Sequence, residues 1–250
     1  MSPRRPAVDS AVTAAFSRRE LIRVPGISGA SVSRRGPRSL NADAAASWTD
    51  QDTGHLAFVV ADGVGDHLPA ARAARLVAAT AAQAGARAGA KAGILAAQGE
   101  LLRQLPEQEA DSVLVVAVRS VLGGPWDIAW VGDCRAYRWN GRVLHQITND
   151  HTVAEYFRAL GRPAPPRTSH LVTTSARTAA AADIGQAETG VSDGRLLLST
   201  DGVHKRLDMP AIKDILARPA TPGVAADALV EGARAAGSTD NATALVVDCF

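Results

Sequence analysis

The sequence predicts an α+β fold, on three observations. At least seven short apolar runs read as strands, an Asn-Gly pair joins two of them as an antiparallel hairpin, and helical stretches fall between groups of strands without strict alternation. A length of 250 residues suits one large domain with a substantial core better than two small ones.

Residues 1–24 show weak periodicity, with Pro3 and Pro6 near the start, and read as an arm or short helix ahead of a single domain spanning 25–250. Residues 56–61 are rich in β-formers and bounded by turn residues, which predicts a buried strand; 113–118 and 128–131 read the same way. Residues 135–139 and 142–147 flank Asn140-Gly141, a pair that favours positive φ at both turn positions and predicts a type I′ hairpin. Residues 196–199 and 243–247 complete the set of seven strands. The Ala-rich stretch 70–97 predicts helix, split near Gly85, Gly89 or Gly93. Residues 153–160 form a short helix, with Asp150 or Thr152 as N-cap and Gly161 as its stop. Another helix covers 224–236, with Gly237 just past its end. Pro163, Pro165 and Pro166 mark 162–178 as a surface loop or flap. No internal repeat is visible.

Composition excludes several classes. With 46% hydrophobic and 21% charged residues the chain is ordinary for a globular protein, and a formal charge of +2 gives no polyelectrolyte signature for nucleic acid. The arginines at 4, 5, 18, 19, 23, 34, 35 and 38 read as solvated surface. Two cysteines, Cys134 and Cys249, make no disulfide framework. No apolar run is long enough for a transmembrane helix, and residues 11–16 are too short for a secretory core, so a cytoplasmic chain is expected. Abundant Ala and Arg with scarce Lys suggest a GC-rich bacterial genome.

The chemistry is concentrated where apolar strands end in aspartate. Asp62-Gly63-Val64-Gly65 closes one strand and Asp201-Gly202 closes another. Gly132-Asp133 ends a third apolar run, Asp240-Asn241 precedes a fourth, and Asp43 lies just before a further segment. A carboxylate at a strand end is held rigidly yet faces a loop, which suits a metal ligand. An isolated Asp-Gly is an ordinary turn; the recurrence at several strand boundaries is what points to a cation site. Several aspartates, with no Cys or His at ligand spacing, favour hard ions such as Mg²⁺ or Mn²⁺ over zinc.

Six segments then resemble one family in its order. Gly36-Pro-Arg38-Ser-Leu-Asn41-Ala-Asp43 resembles the opening Gly-x-Arg-x-x-Asn-x-Asp of the type 2C metal-dependent serine/threonine protein phosphatases. Asp62-Gly63-Val-Gly65 is similar to its Asp-Gly-x-Gly, and Gly132-Asp133-Cys-Arg135-Ala-Tyr137 to its Gly-Asp-Ser-Arg-x-Tyr. Thr148-Asn-Asp150-His151-Thr resembles its Thr-x-Asp-His-Ser. The stretch 197–203 resembles Leu-x-Ser-Asp-Gly-Leu, and Asp240-Asn241-Ala-Thr243 the closing Asp-Asn-x-Thr.

The resemblance implies two antiparallel sheets packed as a sandwich between helices, with two or three Mn²⁺ or Mg²⁺ ions. It implies hydrolysis of phosphoserine or phosphothreonine by direct in-line attack of a metal-bridging hydroxide. By the same resemblance Asp62 bridges two metals and the Gly63 carbonyl serves the first. Asp201 and Asp240 hold the second, and Asp43 acts through metal-bound water. Asp133 with Asp201 matches the third-metal position of bacterial members. Arg38 would grip the substrate phosphate, a task suited to a guanidinium fork. The implied partner is a phosphorylated protein, in opposition to a bacterial Ser/Thr kinase; a monomer is expected.

Several positions depart from the family pattern: Ala42 and Asp66, Thr200 and Cys134 in place of Ser, Asp111-Ser112 before residue 113, and a short flap. Cys134 is no phosphatase nucleophile, because no arginine follows at the sixth position, where Asn140 stands. Val64 occupies the place of a histidine found in some eukaryotic members. His67 is expected to cap or pack near the acidic loop, and His151 to brace its helix. Two alternatives stand beside the leading reading: a phosphatase of a sigma-factor switch, and a pseudophosphatase that binds phosphoproteins without turnover.

Overall fold

The structure, a computed structural model, describes residues 17–24, 26–190 and 193–249. Two antiparallel sheets lie face to face between two layers of helix, so the α+β sandwich expected from the resemblance is the observed architecture.

The first sheet has six strands, β1 (Ser17–Val24), β2 (Ile27–Arg34), β11 (Ala242–Cys249), β10 (Gly194–Ser199), β7 (Arg135–Trp139) and β8 (Leu144–Gln146), in that spatial order. The second has five, in the order β3 (Asp43–Thr49), β4 (His55–Gly63), β5 (Ser112–Ser120), β6 (Gly123–Val131) and β9 (Gly185–Glu188). Between the sheets Phe58, Val60, Val115, Trp126 and Ile128 of one meet Leu196, Leu198, Leu245 and Val247 of the other. The outer face of the second sheet is covered by α1 (Leu68–Ala88) and α2 (Ala90–Gln104), whose alanines let helix and sheet approach closely. The outer face of the first is covered by α5 (Met209–Leu216) and α6 (Pro222–Ala235). Two short helices, α3 (Val153–Ala159) and α4 (Asp201–His204), lie at strand ends.

Several expectations are corrected. Residues 17–24 are neither arm nor helix but edge strand β1, paired antiparallel with β2 through a bulge between Glu20 and Ile22; residues 1–16 lie outside the described residues. Eleven strands are described, the seven expected as a minimum together with β1, β2, β3 and β9. The type I′ turn does not form. Gly141 has φ +86°, but Asn140 is not in the left-handed region. Asn140 instead uses its side-chain oxygen to accept from the amides of Arg142 and Val143, and the second strand starts only at Leu144. The long helix does break, and of the three glycines it is Gly89, with φ +95°, that ends α1 and starts α2. Thr152, not Asp150, caps α3 by accepting from the Glu155 amide. Within 162–178 there is no helix or strand, only an isolated bridge between Thr152 and Val172.

Candidate metal centre

Antiparallel packing carries five strand boundaries to one end of the sandwich. Asp43 opens β3 and Asp62 lies opposite it near the end of β4, as direct cross-strand partners. Asp133 follows β6, Asp201 follows β10, and Asp240 precedes β11. Asp62, Asp133, Asp201 and Asp240 line one cavity of about 260 Å³, with Arg38 at its side and His170 and Val172 of the flap reaching into it.

Asp43 lies behind that wall, buried. One of its oxygens, Oδ2, accepts from the hydroxyls of Thr200 at 2.9 Å and Thr243 at 2.6 Å, while Oδ1 is buried with no hydrogen-bond partner. Burial raises its carboxyl to about 7; the two hydroxyl bonds work against this, and the charges of Asp201 and Asp240 add to it. Burial likewise holds Asp62 well above the ordinary carboxylate range, and Asp43, Asp201, Asp133 and Asp240 all push in the same direction. Burial and the Asp201 charge raise Asp133 and Asp240 too, with Lys205 opposing at Asp133 and the Asn241 amide and Arg38 opposing at Asp240. The site is an arrangement of mutually repelling carboxylates, which a bound cation would relieve.

Two cations of the chain already sit among them. Arg38 Nη2 contacts Asp240 Oδ2 at 2.7 Å, both side chains being 38% exposed. Lys205 Nζ stands 2.8 Å from Asp133 Oδ2 and 2.8 Å from Asp201 Oδ2. Burial disfavours its charged form, but the Asp201 and Asp133 charges and their hydrogen bonds outweigh that and raise its pKa.

Backbone packing holds these groups in place. Asn241 accepts from the Ala42 amide and donates to the carbonyls of Arg35 and Leu40, tying the Arg38 loop to the start of β11. Asp66, one of the residues that depart from the family pattern, accepts from the Ser39 amide and hydroxyl and braces the same loop. Gly202 packs so closely that a Cβ would fall 1.9 Å from the Asn241 carbonyl, and at Gly63 a Cβ would fall 2.4 Å from that of Ala70. Ser112 donates to the Asp62 carbonyl. Asp111 accepts from the Ser175 hydroxyl and the Arg177 amide, anchoring the C-terminal stem of the flap.

The two histidines have structural partners. His67 Nδ1 accepts from the Ala70 amide and caps α1. His151 donates its own amide to the Gly132 carbonyl, and its Nδ1 accepts from the Gly132 amide at 3.4 Å, fixing the loop before Asp133. Arg135 clamps Asp150 through two contacts of 2.7 Å. Cys134 is buried, and burial with the neighbouring carboxylates pushes its thiol well above the usual range, the opposite of a nucleophile.

Among the described residues no three His, Cys, Asp or Glu side chains close into a ready-made cation cage; the carboxylates surround a cavity instead. Their all-oxygen chemistry, their mutual repulsion and the unpartnered buried Asp43 Oδ1 fit hard divalent ions. Sequence reasoning missed Lys205, Thr243 as a donor to Asp43, and Ser112. The signal for Lys205 was its place four residues after Asp201, the spacing of a helical neighbour.

The chain matches no protein-family model and no curated protein by sequence. Solved structures do match. A serine/threonine phosphatase from Mycobacterium smegmatis, solved with cacodylate, is 28% identical with a TM-score of 0.68 over 89% of this chain and 98% of its own. PppA of Pseudomonas aeruginosa is 25% identical with a TM-score of 0.74, covering 90% and 98%. The catalytic domain of the phosphatase PstP, solved with two manganese ions, is 25% identical with a TM-score of 0.75, covering 89% and 97%. The chain has the fold and motif order of the bacterial type 2C phosphatases. Strand-end carboxylates and an arginine share one cavity at the acidic end of the sandwich.

Proposed function

We propose that this chain is a metal-dependent phosphoprotein phosphatase that hydrolyses phosphoserine or phosphothreonine by direct in-line attack of water. One observation carries the reading: carboxylates from four strand boundaries line one cavity with an arginine beside them, and a fifth, Asp43, lies buried behind them. PstP, similar in fold along nearly its whole catalytic domain, holds two manganese ions.

Asp62, the Gly63 carbonyl, Asp240 and Asp201 would hold two Mn²⁺ or Mg²⁺ ions, with Asp43 behind them and Asp133 at a third position. Such ions supply an activated water and neutralise charge building on the phosphoryl oxygens. The chain's own groups do the rest. Asp43, fixed by Thr200 and Thr243, keeps one oxygen free that would accept a hydrogen bond from water. Arg38 exchanges its half-exposed contact with Asp240 for the substrate phosphate, presenting a planar fork to two phosphoryl oxygens. Asn241 and Asp66 hold the loop that aims it. His170 and Val172 bring the flap to the cavity rim, where residues flanking the phosphorylated side chain would pass.

The catalytic domain in this reading includes edge strand β1 as well as the rest of the sandwich. The substrate is a phosphorylated protein, set in opposition to a Ser/Thr kinase, and the enzyme acts as a cytoplasmic monomer. Among the described residues no helix is long and apolar enough to cross a membrane. Retention of every core aspartate weighs against a binding protein without turnover.

The test is hydrolysis of p-nitrophenyl phosphate by the purified chain with and without Mn²⁺. Turnover that requires the ion and stops with EDTA is expected. A folded protein that binds Mn²⁺ and turns over nothing would contradict the reading and favour the pseudophosphatase.

A further inference from the structure

We infer that the ammonium of Lys205 takes the place of a third metal ion, so that this chain is built for two ions rather than three. The inference rests on the phosphatase reading above and refines it.

Asp133 and Asp201 are the pair that the resemblance allots to a third ion. In this chain each already directs an oxygen at one cation of its own, with Lys205 Nζ 2.8 Å from both. The fold makes that contact local. Asp201 opens α4 and Lys205 follows its last residue, so the two are i,i+4 neighbours on one face. The Asp133 carboxylate is only 6% exposed, so the ammonium provides its charge compensation within the protein. A divalent ion at this point would need to lie about 2.1 Å from the same oxygens. Two cations cannot share that position, and the tethered one is always present at high local concentration.

The remaining carboxylates differ. Asp62 faces the cavity, and Asp43 keeps a buried oxygen without a partner. Arg38 meets Asp240 alone, through a side chain that is 38% exposed. Lys205 is the cation that bridges two of the predicted ligands, and it does so at the position where the third ion would go.

The experiment counts bound Mn²⁺. The full chain is stripped with chelator and titrated, and free Mn²⁺ is read by electron paramagnetic resonance, for wild type, Lys205→Asn and the double variant Lys205→Asn/Asp133→Asn. Two ions in wild type, three in Lys205→Asn and two again in the double variant are expected. Three ions in wild type, or two in Lys205→Asn, would overturn the inference while leaving the phosphatase reading intact. No ions in folded wild type would remove that reading and the inference with it. A readout independent of the variants is acylation of lysines by an amine-reactive reagent, followed by mass spectrometry. Lys205 should stay protected at saturating Mn²⁺, and a reactive Lys205 there would contradict the proposal.

Discussion

Strands β10 and β11 carry an acidic and basic pairing at each end, and the two ends are built differently. At the far end Arg195 and Asp248 are cross-strand partners, and the guanidinium makes two contacts to the carboxylate at 2.6 and 2.9 Å. Its remaining donors go to the carbonyls of Leu216 and Ala220, and both residues are buried. At the other end Arg38 touches Asp240 through one nitrogen, half-exposed, beside carboxylates that repel one another. A saturated buried pair has nothing left to offer a ligand and serves the fold. An open, singly bonded pair beside surplus negative charge can exchange partners, and that is what a phosphate and its counter-ions require.

The largest effect that would sharpen this contrast comes from the far end. Arg195→Ala leaves Asp248 as a buried unpaired charge, which should cost about 3–5 kcal/mol of stability, a fall in melting temperature of roughly 6–20 °C. Calorimetry should show that loss while Mn²⁺ binding and kcat at low temperature stay near wild type. An unchanged melting temperature would break the comparison.

Arg38→Ala should do the reverse. Losing a charge-assisted contact worth about 1.5–3 kcal/mol lowers kcat/KM for a phosphothreonine peptide roughly 10–150-fold with little change in stability. Arg38→Lys should recover only part of that, because an ammonium cannot present a fork.

A further effect is in pH dependence. Asp43 has a folded pKa of about 7 against an ordinary 3.8, raised mainly by burial. The folded state therefore holds this proton more tightly than the unfolded one. Its contribution to stability is complete below about pH 4 and lost as pH rises through 7. Chelated protein should lose melting temperature over that interval, and saturating Mn²⁺ should flatten the curve. A metal-free melting temperature that rises over the same range would contradict the electrostatic picture.

Legibility in the sequence followed hydrophobic contrast. Strands β4, β5, β10 and β11 are near-continuous apolar runs buried on both faces, and the site aspartates stood out because Asp62 and Asp201 abruptly close β4 and β10 and Asp240 stands just before β11. Strands β2 and β3 were hidden because Ser28, Ser31, Ser33 and Ala44 to Ala46 carry little contrast between faces. The four-residue β9 is too short and polar to register. The hairpin was legible but its turn type was not, since Asn140 uses its side chain rather than a left-handed backbone. At the site the carboxylates could be read from strand ends. The Lys205 bridge could be read only in part, because the spacing of residue 205 from residue 201 was visible but its approach to Asp133 from another sheet was not.

The central claim is that the acidic end of the sandwich hydrolyses phosphate esters through the carboxylates gathered there. The most direct measurement is phosphate release from a phosphothreonine peptide by Mn²⁺-loaded wild type and Asp62→Asn, matched by circular dichroism. Release by wild type, with the variant's rate falling about 1,000-fold or more while its fold is retained, is the predicted result, several kcal/mol of transition-state stabilisation being lost. An Asp62→Asn variant that releases phosphate at the wild-type rate would contradict the account.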